Sequence, residues 1–285
     1  MEHAALVASD DLITWTGPEK DLPPIPAGTR QVDAEGGALL PGLVECHTHL
    51  VFAGTRVADY ARRSRGMTYQ QIAAEGGEAT AVRTDVRNYA EVEAAVNAAV
   101  DRYGALDIMI ANAAGNFVVP TAGMSINAWR VVIDIDLNGT FHCARAAYGA
   151  LRASRFGGRL IAISTMRALE GWPGCAHAGA AKAGIMSLMR TLAAEWGPDG
   201  IRCNTIAPGA IGDTEGVRKI YEAQGAADRE LATIPLGAFG ATHDIAEAAL
   251  YLCSDAGNYI TGTDLVVDGG RSRRHVRTAD ATPAA

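Results

Sequence analysis

The sequence is narrowed first by what it lacks. No run approaches the roughly 18 apolar residues of a membrane-crossing helix, and Met1 to Asp10 has neither a basic nor a long apolar region of the kind that targets a chain for export. A cytoplasmic protein with no membrane partner is expected. Lys and Arg gather only in short runs such as Arg273-Arg274, and the net charge is −7. A phosphate-backbone partner is therefore not expected, and nucleic acid is set aside. Paired cysteines are missing as well. Cys46, Cys143, Cys175, Cys203 and Cys253 are odd in number, far apart and free of any Cys-x-x-Cys spacing, which leaves buried thiols as the natural reading.

What is present is a chain of 285 residues, 48% hydrophobic, long enough for one large or two small domains and able to bury roughly three-quarters of its unfolded surface. Its texture changes near Gly76-Gly77. Before that point turn signals at Gly17-Pro18, Pro23-Pro24 and Pro41-Gly42 interrupt the chain, and one apolar strand is expected at Leu43 to Phe52. After it, strands and helices alternate. A strand is expected at Ala79 to Arg83 and a helix carrying Val92, Ala95, Val96, Ala99 and Tyr103. A strand at Leu106 to Ala111 and a long helical region from Trp129 to Leu151 follow. Strands at Arg159 to Ser164, Ile201 to Ile206 and Leu265 to Val267 then alternate with helices at His177 to Trp196 and Asp244 to Leu252. Strands separated by helices of this length imply a parallel sheet covered on both faces, a doubly wound α/β fold. Residues 271–285 carry no periodicity and are expected to form a disordered tail.

Several short segments could carry chemistry, and each also has a plain structural reading. Asn112-Ala113-Ala114-Gly115 follows a strand, where small residues permit close approach of a dinucleotide or simply make a tight turn. Asp85, in Thr84-Asp85-Val86, could accept from an adenine amino group or cap the following helix. Lys182, among the small residues of His177 to Gly184, could reach ribose hydroxyls or sit on a solvated face. Ala207-Pro208-Gly209-Ala210-Ile211 lies at the carboxyl end of a strand, where such sheets bind ligands. Taken alone, Asp136 reads as a surface helix residue and Asn116 as a turn-former.

In this order, with Val267-Asp268-Gly269-Gly270 closing the set, these residues resemble the short-chain dehydrogenase/reductase family over about 190 residues. Asn112 to Phe117, Asp134-Ile135-Asp136 with Gly139-Thr140-Phe141, His177 to Lys182 and Gly212 to Gly216 resemble its peroxisomal-type 2,4-dienoyl-CoA reductases more narrowly. The resemblance implies a Rossmann-like sheet over residues 78–270, an acyl-CoA-type substrate, NADPH (with NADH possible) and a homo-oligomer. It implies that Asp85, Val86, Asn112, Ala113, Ala114, Lys182, Pro208, Gly209 and Ile211 contact the nucleotide. The sequence departs from the broad family at Ala178, where a proton-donating tyrosine normally precedes the lysine by four, and Asp136 replaces the usual asparagine. Thr165, beside Ser164, takes the usual serine position. Reduction of a dienoyl thioester does not need that tyrosine. In this resemblance Asp136 and Lys182 hold and polarise a proton-delivering water, and Asn116 bonds near the thioester oxygen.

The family's first βαβ and its Thr-Gly-x-x-x-Gly-x-Gly loop are not found. Residues 1–77 instead resemble the opening of imidazolonepropionase, through Leu12 to Pro18, Leu40 to Gly54 and Thr68 to Ile72. In that family His47 and His49 would ligate a metal and Arg56 would touch substrate, but the strands carrying the other ligands are missing, so no metal is expected. The chain then reads as a dienoyl-CoA reductase fused to a foreign front. The alternatives are a catalytically impaired chimera acting as an oligomeric α/β protein, or a metal-dependent hydrolase fragment.

Overall fold

A computed structural model of the chain describes residues 80–273, apart from 213, 219–220 and 222–224, together with the backbone of two strands near the N-terminus. The chain divides into two compact units, Met1–Val44 and Glu45–Ala285. In the first, β1 (Ala4–Ser9) pairs antiparallel with β2 (Leu12–Pro18), with a register shift between Val7 and Ala8. This hairpin was not expected from the sequence, because the alanine-rich Ala-Ala-Leu-Val-Ala-Ser offers little of the β-branched and aromatic content that marks strands. The predicted strand Leu43 to Phe52, with Glu45, His47 and His49, lies outside the described residues, as does Arg56.

The second unit begins with a loop leading into α1 (Tyr89–Tyr103). Asn88 caps this helix by accepting from the Ala90 amide, and Gly104, at φ 80°, closes it by donating to the Val100 carbonyl. Its buried stripe is Val92, Ala95, Val96 and Ala99, as the spacing predicts. β3 (Ile108–Ala111) follows, then α2 (Ile126–Ile133), a π-helical turn at Asp134–Asn138, and α3 (Gly139–Arg152). β4 (Gly158–Ile163), α4 (Ala176–Trp196) and β5 (Ile201–Pro208) come next. Two short helices, α5 (Glu215–Val217) and α6 (Ala227–Leu231), precede α7 (Thr242–Cys253) and β6 (Asp264–Val267).

The four strands form one parallel sheet in the order β3-β4-β5-β6. Helices pack on both faces, so strand side chains are apolar in both directions, as in Leu160, Ile161 and Ala162, all at most 1% exposed. One core joins β3 and β4 to α1, α3 and α4 through Leu106, Met109, Leu151, Leu160, Ile185 and Met189. A second, smaller one seats α7 on the sheet through Ile161, Ile206, Ala249 and Leu252. The α/β doubly wound architecture thus matches the sequence reading.

Three local expectations are corrected. Residues 80–83, expected within a strand, have none, since a strand exists only through its ladder and no described neighbour supplies one. β3 starts at Ile108 rather than Leu106. Arg271–Arg273, expected within a disordered tail, form a 3-10 turn held by the Asp268 carboxylate, which accepts from the amides of Gly270 and Ser272.

Candidate active site

The loops leaving the carboxyl ends of β3, β4 and β5 meet the amino-terminal half of α4, and a buried ion pair forms there. Asp136, on the π-helical turn, is 1% exposed. Its Oδ1 accepts from the Gly115 amide at 2.7 Å, and its Oδ2 lies 3.4 Å from the Lys182 ammonium. The turn itself is fastened by Thr140, whose hydroxyl donates to the Asp136 carbonyl at 2.6 Å. π turns inserted between α-helical segments often re-aim a side chain at a functional site, and here the carboxylate faces the interior. Burial pushes the Asp136 carboxyl above its usual range, against the opposing pull of Lys182 and of the Gly115 amide.

Lys182 also donates to the Ile163 carbonyl at 2.9 Å. An ammonium has three N–H bonds; two are directed at Asp136 and Ile163, and a third is left for a ligand. Ser164 donates to the Lys182 carbonyl at 3.0 Å, so it braces α4 and does not point a hydroxyl at a reacting group. Thr165 is partly buried, donates to the Pro208 carbonyl at 3.5 Å and accepts from the Arg167 amide at 3.3 Å. Ala178 is 2% exposed and packs with Val132, Cys175 and Trp172, so the position that carries a tyrosine in the broad family is closed apolar core.

The structure therefore brings Asp136, Lys182, Ser164 and Thr165 together. The loop residues Asn112 and Ala114 are exposed and Ala113 half-buried beside them. Pro208, Gly209 and Ile211 form the neighbouring wall. Gly209 bonds the Val267 carbonyl, and a Cβ there would meet the Asp268 Cα at 2.8 Å, which explains the glycine. Ile211 bridges to Gly240.

Two predicted roles, those of Asp85 and Val86, are not carried by the geometry. The Asp85 carboxylate is held by the Arg87 guanidinium at 2.5 to 3.0 Å and by the Arg87 amide, so its oxygens are engaged locally, and the Arg87 bonds hold it below the usual carboxylate range. Asp85 is not the helix cap either; Asn88 is. Val86 is buried against Gly139, and its carbonyl bonds the His142 ring at 2.8 Å. Asn116 is exposed, with its side chain beside the Cys175 thiol.

Two features escaped the sequence. His177 is fully buried with its Nε2 unpartnered among the described residues, and one histidine beside a lysine motif gives no signal of this. Arg167 donates to both oxygens of Glu230, at 2.9 and 3.0 Å, and to the Tyr221 hydroxyl, while Arg271 bonds the same carboxylate at 3.1 Å and reaches Glu170 at 3.5 Å. This network ties the turn after β4 to α6 and to the turn after β6, across separations of 63 and 41 residues that no local pattern records.

A reduced nicotinamide nucleotide can be tested against this geometry. The open loop after β3 and the third Lys182 N–H suit a nicotinamide–ribose end. For the pyrophosphate, the described residues supply no glycine-rich helix start, and the sequence contains none. Among the described residues no group of His, Cys, Asp or Glu could hold a metal ion, and no helix is long and apolar enough to cross a membrane.

Comparison with known proteins agrees with this architecture. Residues 46–272 match the family described as enoyl-(acyl carrier protein) reductase. A peroxisomal 2,4-dienoyl-CoA reductase of Saccharomyces cerevisiae is 48% identical over 186 residues, 65% of this chain and 63% of that protein. The chain thus spans less than two-thirds of that relative. One of the same name from Rattus norvegicus is 38% identical over 226 residues, 79% of this chain and 75% of that protein. A short chain dehydrogenase from Bacillus anthracis superposes with a TM-score of 0.63 at 34% identity, covering 79% of this chain and 94% of its own. The sequence match, the parallel sheet and the lysine-bearing helix converge: the chain belongs to the short-chain dehydrogenase/reductase family.

Proposed function

We propose that the chain reduces 2,4-dienoyl-CoA thioesters, with NADPH as reductant and NADH as the alternative. The observation that carries this is the buried Asp136–Lys182 pair beside Ala178, where a ketone-directed tyrosine would stand. The yeast and rat relatives are named as (3E)-enoyl-CoA-producing, which supports a 3-enoyl product for such a site. Converting a 2,4-diene to a 3-ene adds hydrogen at C5 and C2. Hydride delivered to C5 moves the electron pairs so that C3=C4 forms and charge collects on the thioester oxygen. The resulting dienolate then takes a proton at C2, the C=O is restored, and no bond to CoA breaks. The nucleotide supplies the hydride.

What the chain's own residues contribute is the rest. Lys182, positive and 3.4 Å from Asp136, can hold a water between its free N–H and the carboxylate, and an Asp136 carboxyl raised by burial is suited to passing a proton to that water. The exposed Asn112 and Asn116 offer amides to the acyl group and nucleotide. The direct test adds 2,4-hexadienoyl-CoA and NADPH and follows loss of both absorbances. Stoichiometric loss with a 3-enoyl product supports the reading, and no NADPH consumption rejects it.

The missing glycine-rich loop favours one second reading, an oligomeric α/β protein impaired in catalysis. Calorimetric titration with NADPH decides between them, since only the enzyme binds it saturably. We also propose a boundary near 77/78, with residues 1–77 derived from an imidazolonepropionase-like front, although the family match begins earlier, at Cys46. A homo-oligomer through α4, the helix carrying Lys182, and through α3, on which Phe141 is 48% exposed, and a cytoplasmic location complete the proposal.

A further inference from the structure

His177 lies one residue before Ala178 on the first turn of α4 and is fully buried. Its Nδ1 accepts from the Ala178 backbone amide at 2.7 Å. An amide N–H can only donate, so Nδ1 carries a bare lone pair and the neutral ring keeps its proton on Nε2. That Nε2 is shielded from solvent and has no hydrogen-bond partner among the described residues. Leaving a buried donor unmade costs about 1–3 kcal/mol, and such groups in native proteins mark strain or function.

The surroundings narrow the choice. The Phe117 ring stands edge-on to the imidazole, centroids 4.4 Å apart and planes at 80°. Phe117 is 40% exposed and belongs to the loop whose Gly115 amide is bound to Asp136. His177 also senses the Asp136 charge and the Cys175 carbonyl, yet burial outweighs both and holds the imidazole below its ordinary range, so the ring is neutral near pH 7. A neutral N–H donor therefore stands within electrostatic reach of Asp136, beside a ring on a solvent-facing loop.

We propose that His177 is a ligand-contacting residue of this site: its Nε2–H donates to the thioester oxygen of the bound acyl group as the Phe117 ring turns aside. That oxygen gains negative charge in the dienolate, and a fixed neutral donor stabilises such charge without having to lose a proton. The inference rests on the thioester reading above and adds a donor which that reading did not contain.

The full chain, labelled with 15N-histidine, tests it without turnover. In the free protein His177 gives the signature of an Nε2–H imidazole, and saturating 2,4-hexadienoyl-CoA in the absence of nucleotide moves its Nε2 resonance. A resonance that stays fixed while the ligand saturates the protein overturns the proposal alone. Failure of the thioester to bind at all overturns the functional reading and this inference with it. In kinetics, His177→Phe lowers kcat/KM about 100-fold, the scale of one lost oxyanion donor. His177→Gln, which keeps an N–H near the ε position, stays within about 5-fold of the unmodified protein. Equal losses in the two variants, or none in either, contradict the assignment.

Discussion

The Gly115 amide donates to Asp136 Oδ1 at 2.7 Å, so the loop leaving β3 is anchored to the same carboxylate that faces Lys182. One oxygen shapes the loop and the other serves the ammonium. Asp136→Asn separates the two roles, because a carboxamide still offers an oxygen to Gly115 but brings no charge to Lys182. The variant is expected to fold with its loop still anchored, to melt somewhat earlier because Lys182 loses its buried partner, and to show kcat lower by about 100-fold. Asp136→Ala loses both roles and should also melt earlier. An Asn variant with undiminished kcat excludes the carboxylate from the reaction.

The pH dependence of stability follows from two buried groups that act in opposite directions. Burial holds His177 below its ordinary 6.5, against the Asp136 charge. A base favoured as neutral in the fold contributes stability that is complete above about pH 6.5 and lost as pH falls through its lower folded value. Burial raises Asp136 above 3.8, against Lys182; the fold favours its protonated form, so its unfavourable contribution is present above the folded pKa and relieved as pH drops. Comparing denaturation midpoints of the unmodified protein and His177→Phe isolates the first group. Between about pH 7.5 and pH 5 the unmodified protein should lose more stability than the variant. Parallel curves would mean that the imidazole titrates as it does in the unfolded chain.

Ala178 decides whether the broad family's chemistry could be reinstated by one substitution. The methyl is 2% exposed and packs against Val132, Cys175 and Trp172, so a phenol ring has no room without displacing them. Ala178→Tyr is expected to cost about 1–3 kcal/mol by overpacking and to confer no ketone reduction. Thermal melts and NADPH consumption with a simple ketone check both halves. A stable variant that reduces ketones would show that the site had merely lost its tyrosine.

How much of this was legible in the sequence depends on the range of the interactions. Elements whose signals are local were placed within a few residues, as with the Val92 to Tyr103 stripe of α1, the long α4 and the strands β4 to β6. Asp136 and Lys182 were legible only through an ordered set of motifs, since nothing in the 45 intervening positions says that a carboxylate on one helix turns toward a lysine on another. Asp85 illustrates the reverse. Its motif allowed either a ligand contact or a helix cap, but Arg87, two residues on, is close enough to take both oxygens. The tautomer of His177 and the strandless 80–83 segment depend on a hydrogen bond and on a neighbour, neither of which a one-dimensional pattern encodes.

The Arg167–Glu230–Arg271 network offers a test of what holds the site's rim. Glu230 accepts from both guanidiniums and is 8% exposed, so Glu230→Gln leaves two positive charges facing a neutral amide. Breaking a buried pair from one side costs about 3 kcal/mol or more; Glu170, within 4 Å of each arginine, offsets part of that. The variant should melt several degrees earlier and bind the acyl thioester more weakly, because α6 and the turn after β6 are released from Arg167 together. Arg167→Met combined with Glu230→Leu removes the charges as a unit, and replacing a buried pair with apolar groups is often neutral. It should therefore recover stability while Arg271 keeps Glu170. If the double variant melts no higher than Glu230→Gln, the network is held by packing of the long side chains, and the charges contribute little.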